Sequence, residues 1–78
     1  MKDLLEYLAR GLVEHPDKVQ VTEVQEDDGT LVLELSVDEG DYGSVIGRGG
    51  RTAMALRAII KAAAVKERRR VFVDIVDD

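Results

Sequence analysis

Apolar residues recur every three or four positions near the N-terminus, every second position through the middle, and every three or four again after a cluster of glycines. Residues 3–14 place Leu4, Leu5, Leu8 and Leu12 on one stripe with Ala9 at its edge, while Glu6, Arg10 and Glu14 fall elsewhere. That spacing predicts an amphipathic helix. Asp3 stands in its first turn, where the helix dipole favours an acid. Pro16 disfavours helical geometry at His15, so the helix is expected to end near His15.

From Lys18 onward the period changes to two. Val19, Val21 and, less regularly, Val24 are apolar, the run Glu26–Gly29 (EDDG) supplies turn residues, and Leu31, Leu33, Leu35 and Val37 then share one face. Two antiparallel strands joined by a short loop follow, with Val32, Glu34 and Ser36 on the opposite face. Asp38 is placed to cap a short helix running down to the glycines. Residues 52–67 contain neither Gly nor Pro and are rich in strong helix formers. The expected buried stripe there is Ala53, Leu56, Ile59, Ile60 and Ala63, with Arg57, Lys61 and Arg68 on another side. The run RVFVDIV then alternates Val71, Val73 and Ile75 against Phe72, Asp74 and Val76, a terminal strand. The order α-β-β-α-α-β predicts an α+β two-layer domain: one three-stranded mixed sheet with helices on one face, its last strand parallel to one of the first two.

Length makes this a single domain, 1–78, with no room for a second one to hold a substrate. The residue types that usually do chemistry are scarce: no Cys and one His. No nucleophile–base pair or metal cluster is visible, so no enzyme, cofactor or metal site is expected. The absence of cysteine agrees with a cytoplasmic setting. Asp3, Glu6 and Glu14 interrupt the N-terminal apolar residues, so neither a signal peptide nor membrane insertion is expected.

The net charge of −5 argues at first against a nucleic-acid partner, but its distribution reverses that reading. Residues 1–40 hold three basic and eleven acidic side chains, whereas all eight basic residues of the second half lie between Arg48 and Arg70, opposed there only by Glu67. Salt screens over roughly 8–10 Å, so such a window acts locally.

At the head of that window stands VIGRGGRT, Val45–Thr52. Glycines between two helices can serve merely to end one of them. Here Gly47, Gly49 and Gly50 are joined by Arg48 and Arg51 and followed at once by a helix whose free amides and dipole favour an anion. A backbone without Cβ atoms approaches a phosphate closely, and arginine grips its oxygens. A P-loop is excluded because no glycine precedes a lysine. The Rossmann pattern fails at Thr52 and lacks a preceding strand.

The pattern that remains is G-x-x-G, Gly47–Gly50, with Val45 and Ile46 before it and Leu56 and Ile59 after. In this setting it resembles the KH domain, and the element order is similar to the type II topology over nearly the whole chain. More narrowly, the opening LLEYLARGLVEHPDKVQV resembles the small bacterial KhpA-type RNA-binding proteins. The resemblance implies a clamp on about four nucleotides of single-stranded RNA. In it, Gly47, Arg48, Gly49 and Gly50 face the backbone, Arg48 and Arg51 add charge, Val45 and Ile46 form part of an apolar groove wall, and Thr52 caps the helix or touches phosphate. It also implies a homodimer, or a heterodimer with a larger KH-domain-containing RNA-binding protein. Tyr7, Tyr42 and Phe72, the three aromatic residues, are scattered in sequence, which predicts weak, loosely selective binding.

His15 beside Pro16 is read as a solvated or capping group, with no second metal ligand visible. Glu26–Asp28 is read as a solvated turn, and Lys66–Arg70 fits either a helix C-terminus or a nucleic-acid contact. Two functional classes stand: a non-catalytic RNA-binding module, serving as a post-transcriptional regulator or RNA chaperone, and a dimerisation or protein-interaction module in which RNA contact is secondary.

Overall fold

The computed structural model describes residues 1–76; the last two of the expected 1–78 domain lie outside them. The chain runs α1 (Lys2–Arg10), β1 (Gln20–Gln25), β2 (Leu31–Ser36), α2 (Tyr42–Ile46), α3 (Arg51–Lys66) and β3 (Val71–Ile75). Single 3-10 turns stand at Pro16–Lys18, Glu39–Asp41 and Arg48–Gly50. The expected α+β class and element order hold.

β2 is the central strand, and its alternation explains why. Leu31, Leu33 and Leu35 are all buried on one face, so β2 needs cover there and a neighbour on each edge. β1 pairs with it antiparallel, Val21 opposite Leu35 and Val24 opposite Val32. β3 pairs with it parallel, Leu33 opposite Val73, as the crossover through α3 requires. The leucine face joins Leu5, Val45, Leu56 and Ile60 in one core. Each such side chain, fully buried, stabilises the fold by about 1.5–3 kcal/mol.

One acid of the hairpin loop serves its own backbone. Asp28 accepts from the Thr30 amide at 2.9 Å, and that bond holds the Asp28 carboxyl below its usual range.

Two expectations are corrected. First, α1 ends at Arg10 rather than near His15, and Leu12, expected on the buried stripe, is 41% exposed. To extend α1, the amides of Glu14 and His15 would have to bond to carbonyls four residues back. Instead both donate to the Asp41 carboxylate, at 3.2 and 3.1 Å. A tertiary acceptor has displaced the local one.

Secondly, the buried stripe of α3 is Ala53, Leu56, Ile60 and Ala64. Ile59 lies about 100° round the helix from Ile60, faces outward and is 44% exposed, while Ala63 is only partly buried. The sheet accepts one narrow row of α3 side chains, and small Ala64 continues that row.

α3 ends in a backbone motif, with Lys66 in its last turn. The Arg69 amide bonds to the Ala64 carbonyl and the Arg68 amide to the Val65 carbonyl, with Arg68 left-handed at φ 56°. This is the Schellman arrangement, with arginine where glycine is usual, at a conformational cost of about 1 kcal/mol.

Asp41, 2% exposed, also accepts from the His15 ring at 3.0 Å, and Asp38 lies 3.6 Å from the same nitrogen. The hydrogen bond to Asp41 and the charge of Asp38 raise the His15 pKa above its ordinary 6.5. Burial pushes Asp41 upward, but its bonds from Glu14 and His15 outweigh that and hold it below its ordinary 3.8. A raised His15 stabilises the fold fully below pH 6.5 and loses that contribution as pH rises through the folded-state value. Thermal melts are therefore expected to fall in midpoint as pH rises from about 6 to 8. In His15→Gln that decline is expected to flatten; an equal slope in both proteins would remove His15 as its cause.

Candidate nucleic-acid interface

α2 occupies only five residues because the backbone reverses at Gly47. There φ is 76° and ψ 170°, a region almost reserved for glycine. A Cβ at Gly47 would stand 2.2 Å from the Thr52 hydroxyl and 2.8 Å from the Thr52 amide nitrogen, so α2 and α3 meet at a point where no side chain fits. Gly49 and Gly50 are left-handed too, but open: no atom lies within 4 Å of the position a Cβ would take. The loop is tight at its first glycine and bare at the next two.

Gly50, not Thr52, holds the N-cap position of α3, and no side chain caps the helix. Thr52 packs beneath Gly47 instead. The Arg48 and Gly49 amides bond to no protein acceptor among the described residues, whereas Gly50 donates to Gly47 and Arg51 to Arg48. Free amides and the positive end of a 16-residue helix therefore converge on one surface. Arg48 and Arg51 are exposed there, and among the described residues neither has an acidic partner. Such a surface attracts an anion by dipole and charge together.

Beside the loop a hollow of about 480 Å³ is lined by Tyr42, Ile46, Gly49, Gly50, Ala53, Met54, Arg57 and Ile75. Ile46 and Met54 are 42% and 65% exposed, giving it an apolar wall. The expected pair Val45–Ile46 divides: Ile46 faces the hollow, while Val45 is fully buried and supports the loop from the core. Successive helical residues lie about 100° apart, so Val45 turns to the core where Ile46 turns to the hollow.

Tyr42 donates to the Val76 carbonyl, pinning the start of α2 to the end of β3. The Arg57 Nε donates to the Val73 carbonyl at 3.2 Å. The Arg70 carbonyl and the Val76 amide bond to β2, so in this parallel register Val71, Val73 and Ile75 turn their amides and carbonyls toward the open edge of β3. Sequence reasoning missed Tyr42, Met54, Arg57 and Ile75. Met54 and Arg57 could have been found from their i, i+3 spacing off the buried stripe of α3; Ile75 needed the strand order.

The cationic window spreads along α3: Arg48 and Arg51 at its head, Arg57 and Lys61 on its flank, Lys66 and Arg68–Arg70 at its end. Away from this surface, ligand atoms of His15, Asp38 and Asp41 lie within 4.8 Å of one another, so the structure supplies the neighbours that the sequence did not show for His15. Their hydrogen bonds tie the α1–β1 connection to the segment before α2. No helix among the described residues is long and apolar enough to cross a membrane.

Comparison with known proteins agrees with this geometry. Residues 2–75 match the family model KhpA/KhpB, KH domain. The chain is similar to the RNA-binding protein KhpA of Halalkalibacterium halodurans, 55% identical over 99% of this chain and all of the relative. It is 54% identical to that of Clostridium acetobutylicum over 97% of this chain and all of the relative. It also superposes on part of a nucleotide-bound crystal structure of Aquifex aeolicus Era, with a TM-score of 0.61 and 20% identity. That match covers 95% of this chain but 28% of the larger protein, a likeness of fold.

Proposed function

This chain belongs to the KhpA/KhpB family of KH domains, and on that premise we propose that it is a non-catalytic RNA-binding protein. Its glycine loop holds the sugar-phosphate backbone of about four nucleotides of single-stranded RNA. Gly47 sets the reversal, the bare surface at Gly49 and Gly50 admits the backbone, and the free amides with Arg48 and Arg51 receive phosphate. Thr52 supports the turn from beneath. Ile46, backed by buried Val45, forms the apolar wall for the bases. On this reading it acts as a post-transcriptional regulator or RNA chaperone in the bacterial cytoplasm, consistent with a chain that has no cysteine.

The observation that carries the reading is the meeting, beside an apolar hollow, of the α3 N-terminus with loop amides and two arginines that have no partner among the described residues. The test is fluorescence anisotropy with single-stranded RNA at about 50 and 200 mM salt, where a clamp on several phosphates weakens steeply. Salt-independent or absent binding removes it.

A second, compatible reading rests on another face. Ala55, Ala58, Ile59 and Ala62 form an exposed, largely small-residue row on the outside of α3, turned away from the hollow. Small side chains let two helices approach closely, which suits a homodimer or pairing with a larger KH-domain protein. Ala58→Arg places bulk and charge at the centre of that row. Sedimentation at micromolar concentration is expected to show a dimer for the parent chain and an 8.6 kDa species for the variant. A monomeric parent would leave only the heterodimer.

A further inference from the structure

Beyond Arg57 the hollow beside the loop has a neighbour. Between the C-terminal half of α3 and the open edge of β3 lies a second hollow of about 460 Å³, bounded by Arg57, Lys61, Val65, Arg69, Arg70 and Phe72. Two features set its chemistry. Its apolar part is exposed: Val65 is 68% and Phe72 57% accessible, and Phe72 is the only phenylalanine in the chain. Its rim carries four cations, and among the described residues the one acid paired with any of them is Asp28, 3.9 Å from Arg70. Arg57 lines both hollows, so the two are consecutive along α3.

We propose that this second hollow is a distal RNA subsite, which takes nucleotides beyond those held at the glycine loop. A base stacks on the Phe72 ring, and the backbone lies against Lys61, Arg69 and Arg70. The inference rests on the RNA-binding reading above and extends it. An exposed aromatic ring beside cations, of which only Arg70 has an acidic partner among the described residues, matches a nucleobase beside its phosphate, and stacking tolerates any base. A purely apolar partner would desolvate Arg57, Lys61 and Arg69, which have no acidic partner among the described residues. The left-handed turn at Arg68 delivers Arg69 and Arg70 to the rim. Two of the aromatic residues that look scattered along the sequence thus border consecutive hollows, Tyr42 the first and Phe72 the second.

The experiment compares fluorescein-labelled random-sequence RNA pools of about four and about ten nucleotides, by anisotropy at low salt. The parent chain is expected to bind the longer pool at least tenfold more tightly. Phe72→Ala and the pair Arg69→Gln, Arg70→Gln are expected to lose most of that gain while binding the short pool as the parent does. Phe72 is exposed, so its replacement leaves the core intact. The chain has no tryptophan, so Phe72→Trp gives a single reporter, expected to be quenched by the longer pool and not by the short one. Equal affinity for both pools, or a gain that survives both variants, overturns the subsite and leaves the loop clamp standing. A Phe72→Ala chain that changes sedimentation but not RNA affinity overturns it in favour of a second copy on this face. Failure of the parent to bind either pool overturns both readings.

Discussion

Replacing Arg48 and Gly49 together by aspartate is expected to weaken RNA binding by about two orders of magnitude while the domain stays folded. The fold survives because both positions are exposed and no atom lies within 4 Å of a Cβ at residue 49. The Gly49 backbone sits at φ 64°, ψ 19°, a left-handed conformation that aspartate tolerates better than most residues. Binding fails for three reasons that act at one point. The Arg48 cation becomes an anion, residue 49 adds a second anion, and its side chain covers the bare backbone that a phosphate must approach. The free amides of residues 48 and 49 then face carboxylates instead of an open surface. Circular dichroism melts establish folding, and anisotropy at about 100 mM salt reads the affinity. A folded variant that binds within threefold of the parent would move the RNA contact away from the loop.

Gly47→Ala acts on stability, and its expected cost is about 3 kcal/mol or more. The glycine-only backbone region accounts for part of this. The remainder is a collision with the Thr52 hydroxyl at 2.2 Å, its Cβ at 2.7 Å and its amide nitrogen at 2.8 Å. Thr52→Ala removes the hydroxyl and the methyl but leaves the Cβ and the amide nitrogen in collision, so it offers little rescue. A domain of this length has a total stability of about 4–12 kcal/mol, and each kcal/mol moves the melting midpoint by roughly 4–8 °C. The expected fall is therefore about 12–24 °C. Gly49→Ala, in open space, is expected to lose only about 1 kcal/mol. The contrast between two glycines two residues apart is the critical result. Equal melting midpoints for the two variants would show that α2 and α3 can separate at residue 47 without penalty.

Much of the site was legible because its signals are local. The glycines and arginines of the loop, the uninterrupted helix after them and the alternating strands all lie within short windows. The loop's position follows once those windows are ordered. Its inner workings do not follow. Val45 and Ile46 read as one apolar pair, and the fold buries one and exposes the other. Thr52 reads as a cap or a phosphate contact; Gly50 takes the cap position, and Thr52 is the floor under Gly47. Ile59 reads as core, yet the sheet accepts a different row of α3.

What the sequence determined by itself is the kind and order of the elements, the glycine hinge and the segregation of charge, because periodicity, propensity and side-chain charge are properties of neighbouring residues. What tertiary structure alone decided depends on residues far apart in the chain. Asp41 takes the amides of Glu14 and His15 across 27 and 26 positions and so ends α1 early. Val76 receives the Tyr42 hydroxyl across 34. The parallel pairing of β2 with β3 leaves β3 with an open edge, along which Arg57, Ile75 and Phe72 line two consecutive hollows. No local pattern carries these contacts, because the free energy that selects them comes from burial and hydrogen bonding available only after the layers have packed.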